Sequence, residues 1–167
     1  MEKFLIKGPS KIRGKVDISG SKNAALPILA ATLLFDKPVV IANLPRVKDI
    51  DTMLNLLSSL GSKIQLSRNK KIVRISKTSK KKVFASYSLV KTMRAGILVL
   101  GPLLAKFKKA QCSMPGGCNL GLRPIDIHLN ALTQLGIKYK IIKGYVHASA
   151  KKGIIGKEIR SSLMSKR

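Results

Sequence analysis

With 167 residues the chain can build one domain with a real core but hardly two, and it has no apolar run long enough to cross a membrane. Thirty-three Lys and Arg against seven Asp and Glu leave a formal charge of +26, which invites a nucleic-acid partner. The cations are spread along the whole chain, though, and with 4% aromatics and no tryptophan the stacking platforms for single strands are scarce, so a bias towards lysine explains the count as well and nucleic acid is not the expected partner.

Taken in order, Phe4 and Ile6, then Val16 and Ile18, alternate with other residues as short strands do, with Gly8, Pro9 and Gly14 as turn residues between them. Ser19-Gly-Ser-Lys-Asn leads into an apolar helical run from Ala24 to Leu34. Ser19 or Ser21 can cap it, Lys22 and Asn23 fall at its exposed first turn, and Pro27 lies early enough to be tolerated. A lysine beside free helix N–H groups is either a solvated surface cation or a holder of phosphate. Val39 to Ala42 reads as a buried strand. Ile50, Met53, Leu54, Leu57 and Leu60 form the stripe of an amphipathic helix that Gly61 ends. Ile64 and Leu66, then Ile72, Val73 and Ile75, predict a hairpin across Ser67–Lys70.

The pattern then restarts. Ser88 to Leu104 reads as one long helix carrying Lys91 and Arg94 near its beginning, and Ala110 to Met114 as a strand. A glycine-rich turn follows, Pro115-Gly-Gly-Cys-Asn-Leu-Gly-Leu-Arg-Pro, displaying Cys118 and Arg123 just before a helix start. Ile125, Leu129, Leu132 and Leu135 predict that helix, closed by Gly136. Ile137, Tyr139 and Ile141 alternate, and Tyr145 to Ala148 returns after a tight Lys143-Gly144 turn. Taken alone the turn is either only a turn or a loop presenting a thiol beside an anion site.

An internal repeat favours the second reading. Leu57-Ser-Ser-Leu-Gly-Ser-Lys matches Leu132-Thr-Gln-Leu-Gly-Ile-Lys at an offset of 75, while Leu33-Leu34 and Pro45 match Leu103-Leu104 and Pro115 at 70. The second copy therefore carries five extra residues between Pro115 and Asp126, where Gly-Gly-Cys sits. An insertion that lengthens a turn and adds a thiol is hard to explain by packing, and loops on a rigid scaffold are where function tends to lie. Cys112 has no such claim and is expected to be a buried small apolar side chain. Two cysteines and two histidines give no disulfide framework and no zinc-ligand spacing, so no metal and no cofactor are expected, and the default setting is cytoplasmic.

Ser19-Gly-Ser-Lys-Asn-Ala-Ala-Leu-Pro-Ile-Leu, Leu89-Val-Lys-Thr-Met-Arg-Ala and Met114-Pro-Gly-Gly-Cys-Asn-Leu-Gly-Leu-Arg-Pro-Ile-Asp-Ile-His resemble the family of UDP-N-acetylglucosamine enolpyruvyl transferases (1-carboxyvinyltransferases). The resemblance runs from Phe4 to about Ala150 with the three motifs in register. The related shikimate-pathway enolpyruvyl transferases share the repeats but lack the cysteine loop. The family implies an α/β fold of repeated βαβαββ units, helices inside and sheets outside (an inside-out α/β barrel). About two repeats are present here and the second domain is missing. It implies residues 1–21 as strands belonging to the other domain, 22–155 as two repeats of the catalytic-loop domain, and 156–167 as a basic tail.

The resemblance further implies the reaction: phosphoenolpyruvate plus UDP-N-acetylglucosamine gives the enolpyruvyl ether and phosphate, the first committed step of peptidoglycan synthesis. Lys22 would contact phosphoenolpyruvate with Asn23 beside it, and Arg94 would bind the nucleotide-sugar. Cys118 would protonate the enol methylene and can form a covalent adduct. Arg123, Pro124, Ile125, Asp126 and Ile127 would line the sugar-nucleotide site, Arg123 reaching substrate phosphate as the loop closes. An aspartate base and further cations would come from the absent half, so a chain ending at Arg167 reads as a fragment, weak or inactive alone, that a separate chain could complete. The alternatives are an inactive repeat domain that only binds UDP-sugar or a partner, and a basic nucleic-acid binder.

Overall fold

The computed structural model of the chain describes residues 3–9, 11, 13–77, 82–91, 93–115 and 125–159. Helix α1 spans Lys22–Ala31 and tightens into a 3-10 turn at Thr32–Leu34. Ser21 occupies the N-cap position as its place in the sequence suggests, but its side chain makes no capping hydrogen bond. Pro27 falls inside the helix, where it offers no N–H to the carbonyl of Asn23 four residues back. Burial of Ala25, Leu26, Leu29 and Ala30 holds the helix in place across that gap.

Strand β1, Val39–Ile41, is less covered than its all-apolar sequence suggests. It forms one edge of a three-stranded antiparallel sheet, and because side chains alternate between the two faces, Val40 points away from the core and is 58% exposed. Helix α2, Lys48–Ser59, buries Ile50, Met53, Leu54 and Leu57 of the stripe that the spacing predicts, Leu60 is buried just after it, Leu56 is buried as well, and Gly61 leaves it at φ 98°. Strands β2, Ser62–Leu66, and β3, Val73–Lys77, form the expected hairpin and complete the sheet in the order β1-β3-β2. Its turn is closed within itself: Ser67 Oγ and the Lys71 N–H both donate to Asn69 Oδ1.

A two-residue strand, β4 at Phe84–Ala85, opens the second half. The single helix expected from Ser88 to Leu104 is instead three pieces: α3 at Tyr87–Val90, a 3-10 segment at Arg94–Val99, and α4 at Leu100–Phe107. Pro102 is the physical reason for one break. In an unbroken α-helix it would deny an N–H to the carbonyl of Leu98 and clash with it, whereas in the first turn of α4 it is harmless. At the other break Met93 is extended (φ −140°, ψ 113°), and Gly96 packs back on Val90, where an added Cβ would come within 3.1 Å of Val90 Cγ1. Strand β5, Lys109–Ser113, runs parallel to β4. Helix α5, Asp126–Gln134, is followed by the hairpin of β6, Lys138–Ile142, and β7, Tyr145–Ser149. Lys143 and Gly144 turn it with φ of 48° and 76°, the twist that two-residue hairpin loops favour. The second sheet has the order β4-β5-β7-β6.

The repeat is thus visible in the backbone. β1-α2-β2-β3 and β5-α5-β6-β7 share one wiring, with the last of the three strands in the middle, between the first and the second. With β4 and the broken helix in front, the second unit is a complete βαβαββ. In the first unit the place of β4 is taken by Ile18–Gly20, which lies beside the residues after β1: Asn43 Nδ2 donates to the Ile18 carbonyl at 3.5 Å, and Gly20 sits so close to the Asn43 carbonyl that a Cβ would overlap it. No ladder forms there. The two strand patterns expected near the N-terminus are therefore not strands among the described residues: Phe4 is 97% exposed and Val16 and Ile18 80% each, with no sheet beside them to take up their backbone groups.

Helices and inner sheet faces share one core, in which Leu29, Met53, Leu57, Leu100, Leu103 and Val146 are fully buried. A clasp ties the two halves together. Lys106 on α4 donates to the carbonyls of Leu33 (2.9 Å) and Phe35 (3.1 Å), and with Lys77 on β3 it grips Asp36 at 3.1 and 2.7 Å.

Candidate functional site

Lys22 is the first residue of α1. The unpaired N–H groups there form a positive pole, which disfavours a cation and favours an anion. Its ammonium is held by Asp49 Oδ2 at 2.8 Å, and both side chains are about half open to water, at 46% and 36%. Asp49 is an acid in the first turn of α2, where the helix pole stabilises it, and α1 and α2 pack together. Asn23 follows Lys22 on the exposed side of α1. Arg94, half-buried, opens the 3-10 segment that packs on α1. Three of the sequence-predicted residues therefore lie on two helical elements that pack against each other.

Ile125, Asp126 and Ile127 form the entry to α5: Ile125 at the N-cap position, Asp126 an exposed acid in the first turn, and Ile127 42% exposed. Cys118, Arg123 and Pro124 lie outside the described residues. The strand before them is pinned at its end, where the Met114 N–H donates to the Gly144 carbonyl at 2.8 Å. On the other side, the Leu129 N–H donates to the Ile125 carbonyl at 2.9 Å and starts the helix.

The other thiol behaves as the sequence suggests. Cys112 is fully buried on β5, and burial pushes its pKa up to about 12, so it stays a thiol and carries no nucleophile. Two further groups escaped sequence reasoning. Asp49 gave only one local sign, an acid in a first helical turn in a chain with seven acids. His128 on α5 has a buried Nε2 with no hydrogen-bond partner among the described residues, and burial lowers its pKa. Its helical position was legible, its burial was not.

A concavity of about 1110 Å³ lies elsewhere, on the outer face of the second sheet beside Lys109, Lys138, Lys140, His147 and Lys152. It contains none of the candidate residues, and its lysines are of a piece with the rest of a basic surface. Among the described residues no cluster of three metal-ligating side chains occurs, and no helix is long and apolar enough to cross a membrane.

Similarity to known proteins bears on this arrangement. UDP-N-acetylglucosamine 1-carboxyvinyltransferase of Pelagibacter ubique is 64% identical over 160 residues, covering 96% of this chain and 38% of that protein. The protein of the same name from Escherichia fergusonii is 50% identical over 159 residues, covering 95% and 37%. The chain thus spans little more than a third of the length of these relatives. Among solved structures, the enolpyruvyl transferase NikO from Streptomyces tendae superposes with a TM-score of 0.70 over 86% of this chain and 31% of its own, at 18% identity. EPSP synthase from Acinetobacter baumannii gives 0.59 over 83% and 32%, at 17% identity. Both share the α/β fold, which is the one the resemblance implied. The family model described as EPSP synthase (3-phosphoshikimate 1-carboxyvinyltransferase) matches residues 6–166, and the chain belongs to that family.

Proposed function

We propose that this chain is the cysteine-loop part of an enolpyruvyl transferase that moves the enolpyruvyl group of phosphoenolpyruvate to UDP-N-acetylglucosamine and releases phosphate. In the cell this is cytoplasmic work, the entry to peptidoglycan synthesis and so to cell shape and division. The observation that carries the reading is the 64% identity, over nearly the whole chain, with a relative named for that activity.

In this reading Lys22 holds phosphoenolpyruvate, whose phosphate and carboxylate suit a cation at a positive helix end. Asn23 stands where the two substrates meet, and Arg94 and Arg123 take the anionic nucleotide-sugar. Pro124, Ile125, Asp126 and Ile127 shape the sugar-nucleotide side at the start of α5. Cys118 gives its proton to the methylene carbon of phosphoenolpyruvate, and the adjacent carbon, now electron-poor, accepts the oxygen of a sugar hydroxyl as that hydroxyl's proton passes to a base. Expulsion of phosphate and return of a proton from the new methyl group to the Cys118 thiolate restore the double bond. General-acid help of this kind is worth about 10²–10⁴-fold. The thiol itself can add to the same carbon, giving a covalent adduct. The base that takes the hydroxyl proton comes from the part of the longer relatives that this sequence does not cover, in the same molecule or as a separate chain.

Ligand binding tests the reading directly. UDP-N-acetylglucosamine with phosphoenolpyruvate should shift the NMR signals of Lys22, Arg94 and Asp126 and slow alkylation of Cys118 while Cys112 stays unreactive throughout. Unchanged spectra and an unchanged alkylation rate at millimolar substrates would refute it.

A further inference from the structure

Lys22 stands where its own helix disfavours it. It is the first residue of α1, whose N-terminal end has no side-chain cap, so the cation faces unpaired N–H groups. The compensating charge comes from another helix. Asp49, the second residue of α2, places Oδ2 2.8 Å from the Lys22 ammonium. In a chain with thirty-three Lys and Arg for seven Asp and Glu, carboxylates are the scarce partner, and one of them is fixed here by the pole of its own helix. The backbone leading to Lys22 is fixed from the same direction. Gly20 packs on the carbonyl of Asn43 with no room for a Cβ, Asn43 itself is turned to φ 56°, and its Nδ2 reaches the Ile18 carbonyl. The segment that ends in Lys22 is therefore gripped at two points by the connection between β1 and α2 and by the first turn that follows it.

We infer that Asp49 is a positioning residue for Lys22: it holds the ammonium in place before substrate arrives and leaves two of its three N–H donors free for the anion. The inference rests on the reading of Lys22 as the phosphoenolpyruvate contact. An unheld lysine must lose the freedom of a four-carbon stem on binding, and holding it beforehand removes part of that loss. Asp49 touches no reacting atom, and its negative charge also repels an approaching anion. The two effects oppose each other, so the sign of the mutational effect decides between them.

The test uses the full chain with lysine side chains labelled for NMR, comparing wild type with Asp49→Ala, Asp49→Asn and Asp49→Glu, and with Asp51→Ala as a control on the same helix. Without ligand, the Lys22 terminal methylene should be more restricted than those of the other exposed lysines, and Asp49→Ala should free it while Asp51→Ala does not. Titrated with phosphoenolpyruvate, Asp49→Ala should bind about three- to tenfold more weakly. Asp49→Glu should recover part of that loss and Asp51→Ala should match wild type. The midpoint of unfolding should move little, because an exposed pair contributes little to stability. A wild-type Lys22 as mobile as in Asp49→Ala overturns the inference, and so does an Asp49→Ala or Asp49→Asn chain that binds phosphoenolpyruvate as tightly as wild type or more tightly. A wild-type chain in which Lys22 is rigid but no signal responds to phosphoenolpyruvate defeats the functional reading itself and takes the inference with it.

Discussion

The connection from β1 to α2 and the connection from β5 to α5 occupy the same place in two copies of one unit, yet they differ in length and composition. The first is short, residues 42–47, and tied down: Leu44 N–H donates to the Lys71 carbonyl, Pro45 is buried, and Val47 N–H returns to the Pro45 carbonyl. It grips the segment before α1 through Asn43, and the first turn of α2 holds Lys22 through Asp49. The second is twice as long, residues 114–125, and carries Gly116-Gly117-Cys118. Loops set on a rigid scaffold are where chemistry tends to lie, and on the proposed reading the longer copy is the one that carries it.

That division can be broken or sharpened by paired substitutions, beginning with the largest effect. In chain combined with the remaining part of the 64% identical relative, Cys118→Ser should slow phosphate release by at least about 10²-fold. Cys112→Ser should leave turnover per folded molecule unchanged and instead lower stability by about 1–3 kcal/mol, since it places a hydroxyl in a fully buried site. Equal losses of rate in the two variants would erase the contrast. Next come the matched leucines of the two units. Leu57 is fully buried and Leu132 is 8% exposed, so within the range of about 2–5 kcal/mol for Leu→Ala the first should lie high and the second low in urea unfolding. The clasp joining the units should matter less: Lys106→Ala orphans two carbonyls and should cost about 1–2 kcal/mol, measured the same way.

The smallest effect is one of pH. Burial lowers the pKa of His128, so between its ordinary value of about 6.5 and the lower folded value the unfolded chain binds the extra proton and the folded chain does not. Its contribution to stability is complete above that upper limit and is lost as pH falls through the window. His128→Gln should flatten the fall in melting temperature over this range. Asp36, held below the usual carboxylate range by Lys77 and Lys106, adds a second decline only in stronger acid.

Most of the fold was legible wherever local pattern and tertiary packing agree. The α2 stripe, the Lys143-Gly144 turn, the burial of Cys112 and the repeat all follow from spacing and turn chemistry. What escaped depends on partners distant in sequence. The period of the Ser88–Leu104 run continues straight through its breaks, and only Pro102 and the contact of Gly96 with Val90 betray them. Val16 and Ile18 have the alternation of a strand but no strand beside them, and Val40 has the apolarity of a central strand but lies at an edge. At the site, Lys22, Asn23 and Arg94 were readable as cations and amide at helix starts, whereas Asp49 became visible only when α1 and α2 were seen to pack. Ile125 to Ile127 stand at the helix entry that their sequence predicts, and Cys118, Arg123 and Pro124 lie beyond the described residues.

Phosphate release from phosphoenolpyruvate in the presence of UDP-N-acetylglucosamine is the most direct measure of the whole account. The chain combined with the remaining part of its relative should release phosphate, at a rate that falls with Cys118→Ser and Lys22→Ala and depends on the nucleotide-sugar. No release above that of the added part alone, or release that both substitutions leave untouched, would contradict it.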